Sequence, residues 1–229
     1  QAERPLLMAG TRVKWSYAAE DMNKFIAETH MPTYTNGMGR GSVPPDSPEF
    51  LNRSRRDALQ KLDLIILAGT LLDFRMRFGQ TIPADAKIIQ LDMDATLIGQ
   101  NRQADVPLVG NLACTFEALS EEITKQGAKL DFTSWRDELR EIENKAEAKV
   151  QAALNSDEVP IDPQRMCREV RDWLDTLNNP IVIGDGGDIV ATSAKIIPVK
   201  SEGAWRDPGP LGTLGVGMPF ALAAKLAHP

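Results

Sequence analysis

Histidine is nearly missing from this sequence. The 229 residues hold only His30 and His228, too little material for a histidine triad or a histidine-rich metal site, so each reads as structural or exposed. Cysteine is equally scarce. Cys114 and Cys167 form no closely spaced metal or redox pair, and a chain of this length needs no disulfide staple, so the expected setting is reduced and cytoplasmic. No apolar run reaches bilayer length: the longest, Leu62 to Gly69, contains Asp63 and is strand-sized, which excludes a membrane span. No long basic run is present either. With 26 Lys and Arg against 32 Asp and Glu, the formal charge is −6, and nucleic acid is excluded as a partner. The start, QAERPLLMAG, lacks both an initiating methionine and the charged head and cleavage site of a signal peptide. That start, and the apolar ALAAKLAHP at the other end, read as boundaries within a longer protein. There is no internal repeat.

What is present is an ordinary globular composition, 42% hydrophobic and 25% charged, in a length that suits two domains at roughly 100 to 200 residues each. Short apolar runs ending in Gly or Asp alternate with amphipathic stretches, the pattern of an α/β fold with a parallel sheet flanked by helices. PLLMAG (5–10), MPTYT (31–35), LIILAGT (64–70), KIIQLDMD (87–94) and VPLVG (106–110) are predicted strands buried on both faces. Residues 18–28, 54–61 and 112–125 have helical spacing. The strongly charged stretch 133–153 is predicted to be a solvated surface helix between two units. Beyond it, Asp162 ahead of Pro163 is a candidate cap for a helix over 165–177. A strand at 180–184, a glycine-rich turn and a helix over 189–196 follow.

Gly10, Gly69 and Asp92 fall at carboxyl ends of predicted parallel strands, where an open α/β sheet forms its ligand crevice and an acid can hold ribose hydroxyls. Strand-end Gly and Asp are common as plain turn residues, which is the favoured reading here, and no G-x-G-x-x-G follows any strand. Arg53, Arg55, Arg56, Arg75 and Arg77 could clamp a phosphate or carboxylate, or simply pair with Asp57 and Asp73. The turn IGDGGD (183–188) lies between a strand and a helix, a geometry that lets backbone N–H groups approach an anion. It fails the dinucleotide and P-loop patterns, as does GPLGTLGVG (209–217), yet glycines at this density mark a backbone approached closely by a ligand or a neighbouring chain.

Longer matches decide the direction. NRSRRDALQKLDLIILAGTLLDFRMRFG resembles the central domain, and IVIGDGGDIVATSA with WRDPGPLGTLGVGMPFALAAKLAHP resembles the opening of the cofactor domain, of thiamine diphosphate-dependent enzymes of the acetolactate synthase type. Within them the chain is most similar to the acetolactate synthase-like and 2-hydroxyacyl-CoA lyase branch. The resemblance implies a Rossmann-like parallel-sheet central domain over 1–127, a helical linker over 128–160, and the first part of a diphosphate-binding α/β domain over 161–229. It implies carbon–carbon lyase or carboligase chemistry on a 2-keto acid or 2-hydroxyacyl thioester, thiamine diphosphate with Mg2+, and a homodimer or homotetramer. FAD, ADP or nothing would occupy the central domain. Gly186, Gly187 and Asp188 would face the diphosphate. The backbone of Gly212, Thr213 and Leu214 would meet the aminopyrimidine, with the Leu214 side chain as the apolar wedge that bends the cofactor.

Three departures qualify this. The family's activating glutamate belongs to a preceding domain, so no catalytic residue is assigned here. Gly184-Asp185-Gly186 imitates the family's metal motif, but no Asn follows Asn179, so it reads as a first-strand turn and the metal site lies elsewhere. Gly187-Asp188 stands where acetolactate synthases proper carry Gln-His, and an anionic side chain suits a diphosphate only if it points away, which favours the lyase-like branch. The isolated chain is expected to be catalytically silent. The alternatives are a non-catalytic nucleotide-binding module and an assembly partner.

Overall fold

A computed structural model describes residues 2–228; Gln1 and Pro229, the outermost residues of the two expected domains, lie outside the described residues. Five strands, β1 (Pro5–Ala9), β2 (Thr33–Thr35), β3 (Leu64–Ala68), β4 (Lys87–Asp92) and β5 (Val106–Val109), form one sheet in the order β2-β1-β3-β4-β5. Every pairing is parallel. This is the expected Rossmann-like α/β architecture.

The strand runs carry no polar alternation because both faces of the sheet are covered. Leu6, Met8, Ile65, Leu67 and Ile88 contribute to one core, and the intervening Leu7, Ala9, Ile66, Ala68 and Leu91 to the other, as a two-residue side-chain period requires. Helix α1 (Thr11–Trp15), a single turn, follows β1 directly, and α2 (Ala19–Thr29) succeeds it. Met22, Phe25, Ile26 and Thr29 put one buried stripe of α2 on the second core. That helix stops at His30, whose φ of 53° is left-handed. Helix α3 (Arg55–Lys61) covers the other face, and α4 (Leu112–Lys125) begins where the Asn111 side chain accepts the N–H groups of Ala113 and Cys114.

Two expectations are corrected. Strand β5 is not buried on both faces: it is the sheet edge, and Val106 and Val109 are exposed. Nor is the charged stretch merely solvated. Helix α5 (Thr133–Leu154) buries Trp135 and Leu139 in the first core and Leu154 against Cys167 and Ile196. The Trp135 indole donates to the Pro5 carbonyl at 3.0 Å. The Glu143 carboxylate accepts the backbone N–H groups of Asn52, Arg53 and Ser54, tying α5 to the start of α3.

Helix α6 (Pro163–Leu174) starts as expected, with the Asp162 side chain accepting from Gln164 N–H. Strand β6 (Val182–Ile183), α7 (Asp188–Ile196), β7 (Trp205–Arg206) and α8 (Gly217–Ala227) complete the order. β6 and β7 pair in parallel, and the fully buried Trp205 centres a small cluster with Val182, Val190, Ala194, Val199 and Ala204.

Candidate functional site

The register of the large sheet aligns Ala9 with Ala68 and Ala68 with Leu91, which brings Gly10, Gly69 and Asp92 side by side at one edge. The approach is close. A Cβ on Gly10 would fall 2.2 Å from the Gly69 carbonyl oxygen, so only glycine fits between these strand ends. Asp92 is buried; one carboxylate oxygen pairs with Arg12 Nε at 3.0 Å, and the other has no partner. Burial raises the Asp92 pKa, while the Asp94 N–H and the Arg12 charge oppose the rise. The Thr70 hydroxyl at the same edge is also buried without a partner.

The arginines divide. Arg75 forms a forked pair with Asp73, whose shortest contact is 2.6 Å, and Arg53 pairs with Glu147 rather than with Asp57. Among the described residues Arg55 has no ion-pair partner, and desolvation, set partly against Tyr34 and compounded by the neighbouring Arg75 charge, lowers its pKa. Arg75 Nη1 is buried and unpaired. Sequence reasoning missed Arg40. Its guanidinium lies 5.2 Å from the Trp205 ring centroid and 3.5 Å from Asp207 Oδ2, and burial lowers its pKa to about 10 against the opposing Asp207 charge. Asp207 in turn accepts from the Trp205 indole at 3.0 Å and from Gly209 N–H at 2.9 Å, which anchors the start of the 209–217 loop.

That loop and the 184–188 turn meet. Asp185 accepts from Gly186 N–H at 2.7 Å, from Gly215 N–H at 3.1 Å and from Gly217 N–H at 2.7 Å. The turn holding Gly186, Gly187 and Asp188 is thereby tied to Gly215 and Gly217, at the far end of the loop that carries Gly212, Thr213 and Leu214. Gly187 offers no side-chain cap to α7, and with the Val190 N–H turned back to the Gly187 carbonyl the Asp188 and Ile189 amides of its first turn are the ones left for an anion. Asp188 is exposed, and Leu214 is 67% exposed. Gly212 and Gly215 hold φ values of 64° and 92°, left-handed backbone that a side chain would strain. Donors, an unstrained glycine path and a free apolar side chain fit a bent, diphosphate-bearing cofactor. Among the described residues no group of three or more His, Cys, Asp or Glu side chains is placed to hold a metal. Arg12, Arg40 and Asp185 could not be singled out from spacing, since each acts on a partner far along the chain.

A parallel five-stranded sheet covered on both faces, with glycines lining one strand edge, defines a Rossmann-like α/β chain. Residues 1–119 match the family described as thiamine pyrophosphate enzyme, central domain, and the chain belongs to that family. It is 34% identical over 228 residues to a probable acetolactate synthase of Mycobacterium bovis, matched along 100% of this chain and 40% of that protein. It is 31% identical over 235 residues to 2-hydroxyacyl-CoA lyase 2 of Danio rerio, along 100% of this chain and 37% of the relative. The human 2-hydroxyacyl-CoA lyase 2 is 31% identical over 241 residues, 36% of its length. The chain thus spans about two-fifths of the curated relatives it matches.

Proposed function

We propose that these residues form the central domain and the opening of the cofactor domain, with α5 between them, of a thiamine diphosphate-dependent lyase or carboligase acting next to a carbonyl. The substrate class is a 2-keto acid or a 2-hydroxyacyl thioester, following the names of the relatives. The observation that carries the reading is the meeting of the 184–188 turn with the 209–217 loop. When bound, the cofactor supplies a carbon nucleophile that adds to the carbonyl. The chain's own part is to bind and orient: the turn at Gly186, Gly187 and Asp188 faces the diphosphate and offers the Gly187 and Asp188 amides, the Gly186 N–H being taken by Asp185, the Gly212 and Thr213 backbone receives the aminopyrimidine, and Leu214 supports the bend. Mg2+ is held outside these residues, because the Asp185 carboxylate already faces backbone amides. The catalytic acid comes from elsewhere too, so the isolated chain is inactive.

We further propose a homodimer or homotetramer, which the open β5 edge favours, and a cytoplasmic setting, which the two free cysteines favour. Titrating the full-length protein with thiamine diphosphate and Mg2+, then assaying a 2-keto acid and a 2-hydroxyacyl-CoA, tests the reading. Saturable binding with cofactor-dependent turnover supports it; absence of binding overturns it.

A second reading rests on the unpartnered Thr70 hydroxyl and Asp92 oxygen at the strand edge. There the central domain takes FAD or ADP, with Asp92 on the ribose. Calorimetric titration with FAD, ADP and CoA decides it: heat with either nucleotide that disappears in Asp92→Ala supports the site, and silence leaves the domain a scaffold.

A further inference from the structure

The resemblance assigns no role to Asp185, and the metal motif it imitates is not fulfilled. Its surroundings nevertheless describe a specific device. The carboxylate sits two residues after β6 and reaches 30 residues along the chain, where both oxygens lie 3.1 Å from Gly215 N and Oδ2 lies 2.7 Å from Gly217 N. Helix α8 begins at Gly217, and its own N-cap residue, Val216, contributes no side-chain bond. Asp185 therefore caps α8 from another segment. The fit tolerates no side chain: a Cβ on Gly217 would lie 2.9 Å from Asp185 Cβ. All the groups facing the carboxylate are donors, which only an acceptor-only side chain satisfies. Those amides, Gly217 first, hold the Asp185 carboxyl below the usual aspartate range against a smaller desolvation penalty.

Leu214 immediately precedes Gly215. We infer that Asp185 is a positioning residue, whose carboxylate fixes the backbone on either side of the wedge and thereby sets the Leu214 side chain against the cofactor. An asparagine is nearly the same shape but turns an NH2 toward donors at one of the two oxygens, so the inference depends on charge and not on volume. It rests on the thiamine diphosphate reading for its consequence, though not for the clamp itself.

The experiment uses full-length wild type and Asp185→Asn, with two readouts. Backbone hydrogen exchange at Gly215 and Gly217, without ligand, reports the clamp. The proton exchange rate at C2 of saturating thiamine diphosphate reports the wedge. The expected result is amide exchange faster by about tenfold or more and C2 exchange slower by about tenfold, with the cofactor still bound. Unchanged amide exchange overturns the clamp. Loosened amides with wild-type C2 exchange overturn the positioning role. A wild-type protein that takes up no thiamine diphosphate defeats the proposed function alone, and the amide readout still decides the clamp. Should Asp185→Asn not fold, Gly217→Ala presses on the same carboxylate and is expected to reproduce both changes.

Discussion

The large sheet and the segment after α6 are built on opposite principles. In the first, β1 and β3 are packed on both sides, and Leu6, Leu7, Met8, Ala9, Ile65, Leu67 and Ala68 are fully buried. In the second, β6 and β7 are two residues each, and α8 leaves Met218, Leu222 and Leu226 exposed. The first holds its shape by side chains packed within this chain. The second packs only a small cluster around Trp205, adds polar anchors, Asp185 on Gly215 and Gly217 and Asp207 on Gly209, and along α8 turns apolar side chains outward. Core packing makes a platform, whereas backbone hydrogen bonds make a surface that something else completes. Binding loops belong with the second kind, because a backbone that must receive a ligand cannot be filled with its own side chains.

The largest test of this contrast pairs two leucines. Leu67→Ala on β3 removes a fully buried side chain from a close-packed core and is expected to cost about 2 to 5 kcal/mol. Leu222→Ala on α8, where the side chain is 63% exposed, is expected to stay within about 0.5 kcal/mol in this chain. Urea unfolding of both variants checks the pair. A large loss at Leu222 would mean that α8 is covered, and the contrast would collapse. Repeating the pair in a full-length protein sharpens it, since a cost appearing at Leu222 only there would identify α8 as a face the remaining sequence buries.

How much of this was legible in the sequence follows from the same contrast. The strands announced themselves because burial on both faces requires unbroken apolar runs, and LIILAGT can do little else. Run length alone cannot tell an edge strand from a central one, so VPLVG suggested two buried faces and Val106 and Val109 proved exposed. In α5 the charge density hid Trp135 and Leu139, two anchors that decide where the helix lies. α1 and β7 span five and two residues, too short for any period to register. At the candidate site, glycine spacing flagged both segments, since left-handed backbone demands glycine whatever the surroundings. It could not show that Asp185 joins them, because a contact across 30 residues leaves no local pattern.

The next effect in size belongs to Leu214. Its exposure means that truncation leaves folding nearly untouched, while under the proposed function removal of the proposed wedge is expected to lower turnover of the full-length protein by about a hundredfold, ~2.7 kcal/mol in the barrier. Leu214→Ala, assayed for both melting temperature and turnover, separates the two regions by kind of consequence: Leu67 should act on stability and Leu214 on chemistry. A Leu214→Ala protein with full turnover would remove the wedge and leave the loop without a side-chain role.

The smallest effect concerns how each region holds its charges. Glu49, in the first region, has a side chain only 4% exposed, with His30 Nδ1 at 3.1 Å and Arg136 Nη1 at 3.2 Å. Burial opposes its ionisation, yet hydrogen bonds from His30, Ser47, its own N–H and Arg136 prevail and hold its carboxyl below the ordinary glutamate value. A carboxyl depressed on folding stabilises the native state above its unfolded pKa of about 4.3 and loses that contribution as pH falls through the lower, folded value. Wild type is therefore expected to exceed Glu49→Gln by roughly 1 kcal/mol at neutral pH, and the gap should close on acidification below the ordinary glutamate range. Thermal unfolding of both proteins across that range checks it. A gap that persists in acid would assign the stabilisation to shape, as in the rest of the first region; a gap that closes would show that even there the α5 helix is held to the 47–49 loop by charge, by the means that dominate in the second.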